Sequence, residues 1–209
     1  NLTHVDKIMK FSRLPLVHVV HSAYPESDFG GITDPAKKKK LIESTYTRHP
    51  ITCVSRGSME GLVSSFSIGQ PVTYIYNPVD VESIVKKAES DADMAYIRSL
   101  GEYIVSVGAL VPSKNHKMLI QAWHKADVPH KLVFLGRGQE EAGMKSMVRE
   151  MGVEDKVVFA GYRVNPFPFM KHAKLFVLSS QYEGFACALT EAIALGVPVL
   201  STDCRCGPA

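Results

Sequence analysis

The sequence predicts an α/β fold with doubly wound parallel sheets, and two observations within residues 103–201 carry the prediction. Short aliphatic runs alternate there with longer segments whose apolar residues recur at helical spacing. The short runs are apolar at nearly every position, which indicates strands that are buried on both faces of a sheet. Short connections between strand and helix then favour parallel strands joined by crossover helices.

The elements follow one another in a regular order. In the second half of the chain, strands are predicted over 103–107, 131–135, 157–160, 175–178 and 198–201, and helices over 116–126, 139–151, 166–172 and 187–195. The first part is less regular, with strands over 16–20, 51–55 and 72–76 and helices over 37–46 and 57–66. A turn at "NPVD" and a charged helical stretch lead to Gly101. We therefore predict two domains, 1–100 and 101–209, with a ligand cleft at the carboxyl ends of their strands.

Composition narrows the classes of function. The chain has 209 residues, of which 45% are hydrophobic and 22% charged, and a net charge of +3 that is too small to favour nucleic acid as a partner. No apolar run approaches the ~18 residues that cross a bilayer, and the first residues do not resemble a signal peptide. Four irregularly spaced cysteines favour free thiols in a cytoplasmic protein over disulfides or a metal site. Because the chain lacks an initiator Met and stops at "CGPA" just after a strand-like run, we expect a fragment that is truncated at both ends.

Two strand-to-helix junctions carry residues suited to phosphate. In "SVGALVPSKNH", Lys114 follows a strand and a glycine turn and precedes a helix, where a cation and helix amides meet an anion well. The alternative is an exposed loop lysine. In "FLGRGQEE", Gly136 and Gly138 form a GxG turn that lacks the third glycine of a dinucleotide fingerprint. Gly136 is therefore either a ligand contact or part of a tight turn.

The stretch "YEGFACALTE" places two carboxylates around the start of a helix. If the helix begins near Phe185, its first amides form an anion site, and Glu191 projects from its second turn toward any hydroxyl bound there. The alternative treats Glu183 as an acid favoured by the helix dipole and Glu191 as an exposed helix residue. That alternative explains Glu191 poorly, because its helical neighbours are apolar.

The order of these motifs resembles a known family. "NPVD", "SVGALVPSKNH", "FLGRG", "VVFAGYRVNP", "VLSSQYEGFACALTEAIALGVPVLSTDC" and "GP" together look like the donor-binding half of the family 4 glycosyltransferases, over about residues 77–208. The N-terminal part is similar more loosely, through "HVVHS" and "TCVSRGS". The resemblance implies the GT-B architecture, in which two Rossmann-like domains face each other across a cleft.

The resemblance also implies roles for individual residues on the donor. Lys114 matches a lysine that contacts the diphosphate, and Glu183 matches a glutamate near the hydroxyls of the transferred sugar. Glu191 matches a glutamate that binds the ribose. Phe185 and Ala186 match the residues whose backbone amides meet the phosphate.

Two further segments are matched in the same way. The segment that meets the base corresponds to Gly161 through Val164, including Arg163. His21 is the best match to a histidine that faces the transferred sugar, with His18 on the preceding strand as its competitor. A packed strand histidine is the alternative for both.

One departure from the family pattern concerns the diphosphate. The family usually has an arginine five residues before the lysine, and this chain has Ala109 there, which makes no charge-assisted contact. Either Lys114 and the helix start suffice, or another cation such as Arg137 contributes, or activity is low or lost. Ala186 also replaces a glycine, which is a milder change.

The function expected from the resemblance is that of a retaining hexosyltransferase that needs no metal or other cofactor. It would move a sugar from a UDP- or GDP-type donor to a sugar or lipid-linked sugar acceptor, in bacterial surface polysaccharide or lipopolysaccharide assembly. The alternatives are a weakly active nucleotide-sugar-binding relic and another Rossmann-like enzyme, such as a nucleotide-sugar epimerase. Lys37–Lys40 could form a peripheral contact with the inner face of the membrane, although a solvated helix face is the simpler explanation for them.

Overall fold

The computed structural model describes residues 8–9, 11–21, 23, 32, 34–204 and 206–207. These residues form two compact units. The first comprises the described residues up to Asn77, together with Tyr182–Phe185 and the residues after 205. The second comprises Pro78–Gln181 and Ala186–Cys204. Each unit is built on its own parallel sheet.

The first unit contains a three-stranded parallel sheet and two helices. The strands are β1 (His18–Val20), β2 (Ile51–Cys53) and β3 (Val72–Tyr74), and the helices are α1 (Pro35–Thr45) and α2 (Arg56–Ser65). Both helices begin slightly earlier than predicted because side chains cap them. The Asp34 carboxylate accepts hydrogen bonds from the amides of Ala36 and Lys37, and the Ser55 hydroxyl accepts one from Ser58.

The second unit contains the regular half of the sequence. Its strands are β4 (Tyr103–Val107), β5 (Lys131–Leu135), β6 (Val157–Gly161), β7 (Leu175–Leu178) and β8 (Val199–Ser201), and its helices are α3 (Val81–Ala88), α4 (Met94–Leu100), α5 (His116–Ala126), α6 (Glu141–Glu150), α7 (Phe167–Lys171) and α8 (Cys187–Ala194). All five strands are parallel, in the order β6-β5-β4-β7-β8. The strand order reverses between β4 and β7, which is the switch point where such sheets bind ligands.

Alternate strand residues fill two separate cores on the two faces of this sheet. On one face, Val133 and Leu135 pack in a cluster with Phe169 of α7. On the other, Leu132 and Phe134 pack in a cluster with Ile120 of α5. Burial on both faces explains the nearly continuous apolar runs and confirms the predicted doubly wound α/β fold.

The second unit begins before the boundary predicted near Gly101, because α3 and α4 belong to it. α3 packs against α7 and α8. The Asn165 side-chain amide donates to the carbonyl of Lys87, at 2.8 Å, and Lys171 forms an ion pair with Glu89. The division of the whole protein into domains 1–100 and 101–209 stays a prediction. Across the described ranges, the helices are all too short or too polar to cross a membrane.

Candidate functional site

A cavity of about 790 Å³ opens in the second unit, at the carboxyl ends of β4, β5 and β6. The turns that follow these strands line it with residues 107–109, 135–137 and 162–167. Lys87 of α3 and Glu191 of α8 complete the lining. The cavity therefore lies at the sheet edge where a parallel α/β domain gathers its ligands.

The charges around the cavity are mostly positive. Among the described residues that line it, Lys87, Arg137 and Arg163 are cations and Glu191 is the one carboxylate. An anionic ligand suits the cations, and a ligand that also carries hydroxyl groups suits the carboxylate.

Glu191 is half-buried on the second turn of α8, rather than exposed as the alternative had it. Leu189 and Ala192 on the same helix are buried in the core, so the carboxylate is the polar group that this helix turns toward the cavity. Burial raises the pKa of the Glu191 carboxyl, because removal from water disfavours the charged form. Hydroxyl donors from a ligand would offset that cost.

The turn that carries Lys114 is fastened to the end of β7. Lys114 ends a short 3-10 helix, Pro112–Lys114, and its carbonyl accepts a hydrogen bond from the Ser179 hydroxyl at 2.7 Å. The amide of Gln181 donates to the carbonyl of Ser113 at 2.8 Å. These bonds join the two strand ends that flank the switch point. Lys114 does not line the cavity itself, but its Cε lies 3.7 Å from the place that a Cβ on Gly108 would take, and Gly108 does line it.

The turns after β4 and β5 approach each other so closely that they require glycine. A Cβ on Gly136 would lie 1.8 Å from the carbonyl oxygen of Gly108, and one on Gly138 would lie 2.3 Å from that of Leu110. Backbone hydrogen bonds join the same turns, from the Gly108 amide to Leu135 and from the Leu110 amide to Arg137. Tight packing of these turns therefore explains the GxG pattern, and Gly136 also lines the cavity.

The segment after β6 forms the third wall. Gly161 has a φ of 74°, a left-handed conformation that glycine adopts without strain. The Arg163 guanidinium lies 5.5 Å from the ring centres of both Tyr96 and Phe169, and its Nε is buried without a hydrogen-bond partner in the described part of the chain. Arg163 and Val164 line the cavity, and Gly161 shapes the turn before them; that this segment binds a ligand stays a prediction.

The remaining predicted residues lie around the start of α8 and in the first unit. Ala186 precedes α8, is buried, and gives the helix no side-chain cap. Phe185 belongs to the first unit, where its ring lies 6.1 Å from that of Tyr76. Glu183 also belongs to the first unit and is buried, and the carbonyl of the next residue, Gly184, accepts a hydrogen bond from Ser58.

The two histidines of the first unit differ sharply in environment. His18 is buried within β1, and its ring lies 5.1 Å from that of Tyr46 and 5.8 Å from that of His49. His21 is exposed directly after β1. His18 is thus a packed strand histidine, and His21 remains the predicted candidate for a functional role.

Sequence reasoning missed Lys87. This lysine lines the cavity from α3, a helix that the sequence assigns to the other domain. Its only signal was a charged helical stretch, which is typical of a solvated surface. Within the described ranges, moreover, His, Cys, Asp and Glu form no group of three or more that could hold a metal ion.

Comparison with known proteins identifies the family. Residues 96–209 match the family model described as glycosyl transferases group 1. The chain belongs to this family of glycosyltransferases. The match spans most of the second unit and confirms the family that the sequence motifs predict.

Curated glycosyltransferases are similar over most of the chain. An N-acetylgalactosamine-N,N'-diacetylbacillosaminyl-diphospho-undecaprenol 4-alpha-N-acetylgalactosaminyltransferase of Campylobacter jejuni is 35% identical over 186 residues, which cover 88% of this chain and 48% of the relative. A lipopolysaccharide 1,6-galactosyltransferase of Salmonella typhimurium is 27% identical and covers 82% of this chain and 47% of its own length. The chain thus spans about half the length of these relatives.

Solved structures agree on the fold. HepE of Anabaena, in complex with UDP and glucose, superposes with a TM-score of 0.79 at 21% identity, over 98% of this chain and 57% of HepE. WaaG, a glycosyltransferase involved in lipopolysaccharide biosynthesis, superposes with a TM-score of 0.72 at 15% identity, over 94% of this chain and 59% of WaaG. At such identities the likeness concerns the fold, which is the predicted GT-B type.

Proposed function

We propose that the protein containing this chain transfers a sugar from a nucleoside-diphosphate sugar to a hydroxyl acceptor, with retention at the anomeric carbon. The observation that carries the proposal is the cavity at the carboxyl ends of β4, β5 and β6, which is lined by three cations and one half-buried carboxylate. A nucleoside diphosphate has the matching chemistry, since it joins an anion to a ribose with two hydroxyl groups. Family membership supports the same class of reaction.

In this proposal the donor makes three kinds of contact. The Glu191 carboxylate accepts hydrogen bonds from the ribose hydroxyls. Arg163 and Val164, after the left-handed turn at Gly161, border the base. Lys114 meets the diphosphate, and the backbone amides of Phe185 and Ala186 add donors there.

The proposed chemistry breaks the bond between the anomeric carbon and the β-phosphate oxygen. The acceptor oxygen forms its new bond on the same face of the sugar, and its proton passes to the departing diphosphate. Lys114 and the start of α8 stabilise the charge that grows on that leaving group, so the reaction needs no metal. The expected roles of Glu183, near the hydroxyls of the transferred sugar, and of His21, facing that sugar, remain part of the proposal.

The acceptor we propose is a sugar or lipid-linked sugar in bacterial surface polysaccharide assembly. In support, the printed name of the Campylobacter relative specifies a diphospho-undecaprenol substrate. Lys37, Lys39 and Lys40 are exposed on α1 and would meet anionic lipid at a membrane surface. The simpler explanation is a polar, solvated helix face, on which Lys39 pairs with Glu43 at 3.9 Å. A vesicle-binding assay would distinguish this explanation from a membrane contact.

A binding-only relic is the second candidate, and Ala109 is the observation that favours it. Ala109 lines the cavity where the family pattern has a cation. Donor consumption by the full-length protein separates the two, because a relic binds the nucleotide without turnover in any acceptor mixture.

The direct test is nucleotide binding by the full-length protein and its Glu191→Ala variant. Titration against UDP and GDP should show a loss of about 1.5–3 kcal/mol in the variant for the nucleotide that binds, the range for hydrogen bonds to a charged group. Glu150→Ala, which removes an exposed glutamate from α6, is the matched control and should bind as the wild type does. Equal affinity of the wild type and Glu191→Ala would remove Glu191 from the site.

A further inference from the structure

Arg137 stands on a turn whose backbone is held from two sides. The carbonyl of Arg137 accepts a hydrogen bond from the Leu110 amide at 3.1 Å, and the amide of Gly136 donates to the carbonyl of Gly161 at 3.0 Å. The turn is therefore tied both to the loop after β4 and to the end of β6. This fixes the place from which the arginine side chain enters the cavity wall.

The side chain of Arg137 keeps its hydrogen-bond donors available. Its guanidinium lies 5.2 Å from the ring centre of Tyr162, and within the described residues it forms no ion pair with a carboxylate. A guanidinium that contacts an aromatic face retains N–H donors at its edge for a bidentate anion. Arg137 is also exposed, so a ligand can reach it.

The other arginine of the cavity is held more tightly. The Arg163 guanidinium contacts two rings, since it lies 5.5 Å from the ring centres of both Tyr96 and Phe169, and its Nε is buried. Among the two arginines that line the cavity, Arg137 is thus the one whose guanidinium is open to a new partner.

The part of the turn after β4 that lines the cavity, residues 107–109, includes no cation. Ala109 is exposed there and carries only a methyl group. The residue that follows it, Leu110, is the one whose amide bonds the Arg137 carbonyl. Gly108, which precedes it, is approached by the Lys114 side chain and by Gly136. The Lys114 side chain and the turn that carries Arg137 thus converge on one short loop.

We propose that Arg137 binds the diphosphate of the donor, beside Lys114, and supplies the charge-assisted contacts that Ala109 does not make. The inference rests on the proposed function, because it takes a nucleoside diphosphate as the ligand. It adds a residue from a different strand-end turn to the diphosphate site, and it makes affinity for this group depend on Arg137.

The test compares ligands that differ only in phosphate, in the full-length protein. Calorimetric titration with UDP, UMP and uridine, or the guanosine series if that base binds, is run on the wild type and on Arg137→Ala. We expect Arg137→Ala to bind the diphosphate at least tenfold more weakly and the nucleoside unchanged. Arg137→Lys should recover part of the loss, because it restores the charge without the planar fork.

Two further variants make the result specific. Arg149→Ala removes an exposed arginine from α6 and should leave all three affinities unchanged. Ala109→Arg in the Arg137→Ala background places a cation on the adjoining turn, and recovered diphosphate affinity would support the shared role.

The outcomes also separate this inference from the function on which it rests. If the wild type binds neither UDP nor GDP, the proposed function fails and the inference fails with it. If the wild type binds the diphosphate and Arg137→Ala binds it equally well, the function stands and the inference is overturned. A loss of equal size for diphosphate and nucleoside would also overturn it, because it would indicate damage to the fold rather than a lost phosphate contact.

Discussion

Glu191 illustrates, at the scale of one residue, a conflict between stability and ligand binding. Its carboxylate is half-buried at the cavity, on a helix whose other inward residues pack in the core. Burial disfavours the charged form and raises the pKa of the carboxyl. The residue therefore costs the ligand-free fold some stability at neutral pH, a pattern common where a side chain is kept for a ligand.

We expect Glu191→Gln to stabilise the ligand-free protein at neutral pH. An unfolded glutamate titrates near ~4.3, and the folded group holds its proton to a higher pH, so the folded state loses stability as pH rises through that window. The amide has no charge to desolvate. Thermal unfolding should show a higher Tm for the variant at pH 7 and a smaller gain at pH 4, whereas the exposed Glu150→Gln should show neither.

An unchanged Tm for Glu191→Gln at pH 7 would contradict this account of the site. The same variant should bind the nucleotide more weakly than the wild type. A gain in stability together with a loss of affinity would mark Glu191 as a residue kept for its ligand.

At the scale of elements, the strand-end turns form one hydrogen-bonded unit. The turn after β4 bonds the turn after β5, which bonds the end of β6. The turn with Lys114 bonds the segment after β7. Neighbouring turns thus fix one another, and the cavity wall has little freedom to relax around a larger side chain.

Substitution by alanine should change the free energy of unfolding in opposite directions at Gly136, which lies in these closely packed turns, and at Gly143, which does not. A Cβ on Gly136 would collide with the Gly108 carbonyl at 1.8 Å, so Gly136→Ala should lower the free energy of unfolding by about 1–3 kcal/mol, the usual cost of overpacking. Gly143 lies within α6, where an added Cβ meets only the flexible end of Lys117 at 3.4 Å. Gly143→Ala should raise the free energy of unfolding by about 0.5–1 kcal/mol, because alanine favours the helix.

Urea unfolding of both variants measures these free energies, and nucleotide titration should show a loss in Gly136→Ala alone. A Gly136→Ala variant as stable as the wild type would mean that the two turns separate readily, and the fixed cavity wall would be disproved.

At the scale of the whole molecule, a buried histidine in the second unit makes the stability of the fold depend on pH. The second unit buries His116 at the start of α5, against Phe134 at a ring distance of 5.2 Å. Its Nδ1 is buried without a hydrogen-bond partner among the described residues. Burial is the larger cause, and the nearby Lys114 cation the smaller one, of a fall in the pKa of His116 to about 4.

We therefore expect His116 to make the protein sensitive to mild acid. The unfolded histidine takes up a proton near ~6.5 while the folded one stays neutral, so stability falls as pH drops from there toward 4. Between pH 7 and pH 5 the Tm of His116→Leu should fall less than that of the wild type. His124→Leu, an exposed position on the same helix, is the control and should fall as the wild type does. Equal falls in all three proteins would assign the acid sensitivity to other groups.

The sequence by itself determined the sheet of the second unit. The strands at 103–107, 131–135 and 175–178 and the helix at 116–126 have the predicted bounds, because continuous apolar runs and helical spacing follow directly from burial on both faces of a parallel sheet. It also determined the family and pointed to Glu191 and Gly136. Helix and strand ends elsewhere moved by one or two residues, since caps and the last strand bonds depend on local hydrogen bonding.

The tertiary structure alone decided which residues share the cavity. Lys87 reaches it because α3 packs against α7 and α8, and no local pattern encodes that packing. Glu183 and Glu191, eight positions apart, fall in different compact units, since the loop before α8 packs on Ser58 and Tyr76. The approach of Arg137 to the Ala109 loop likewise follows from strand order in the sheet. Which residues face a ligand depends on contacts between distant segments, and sequence spacing does not contain those distances.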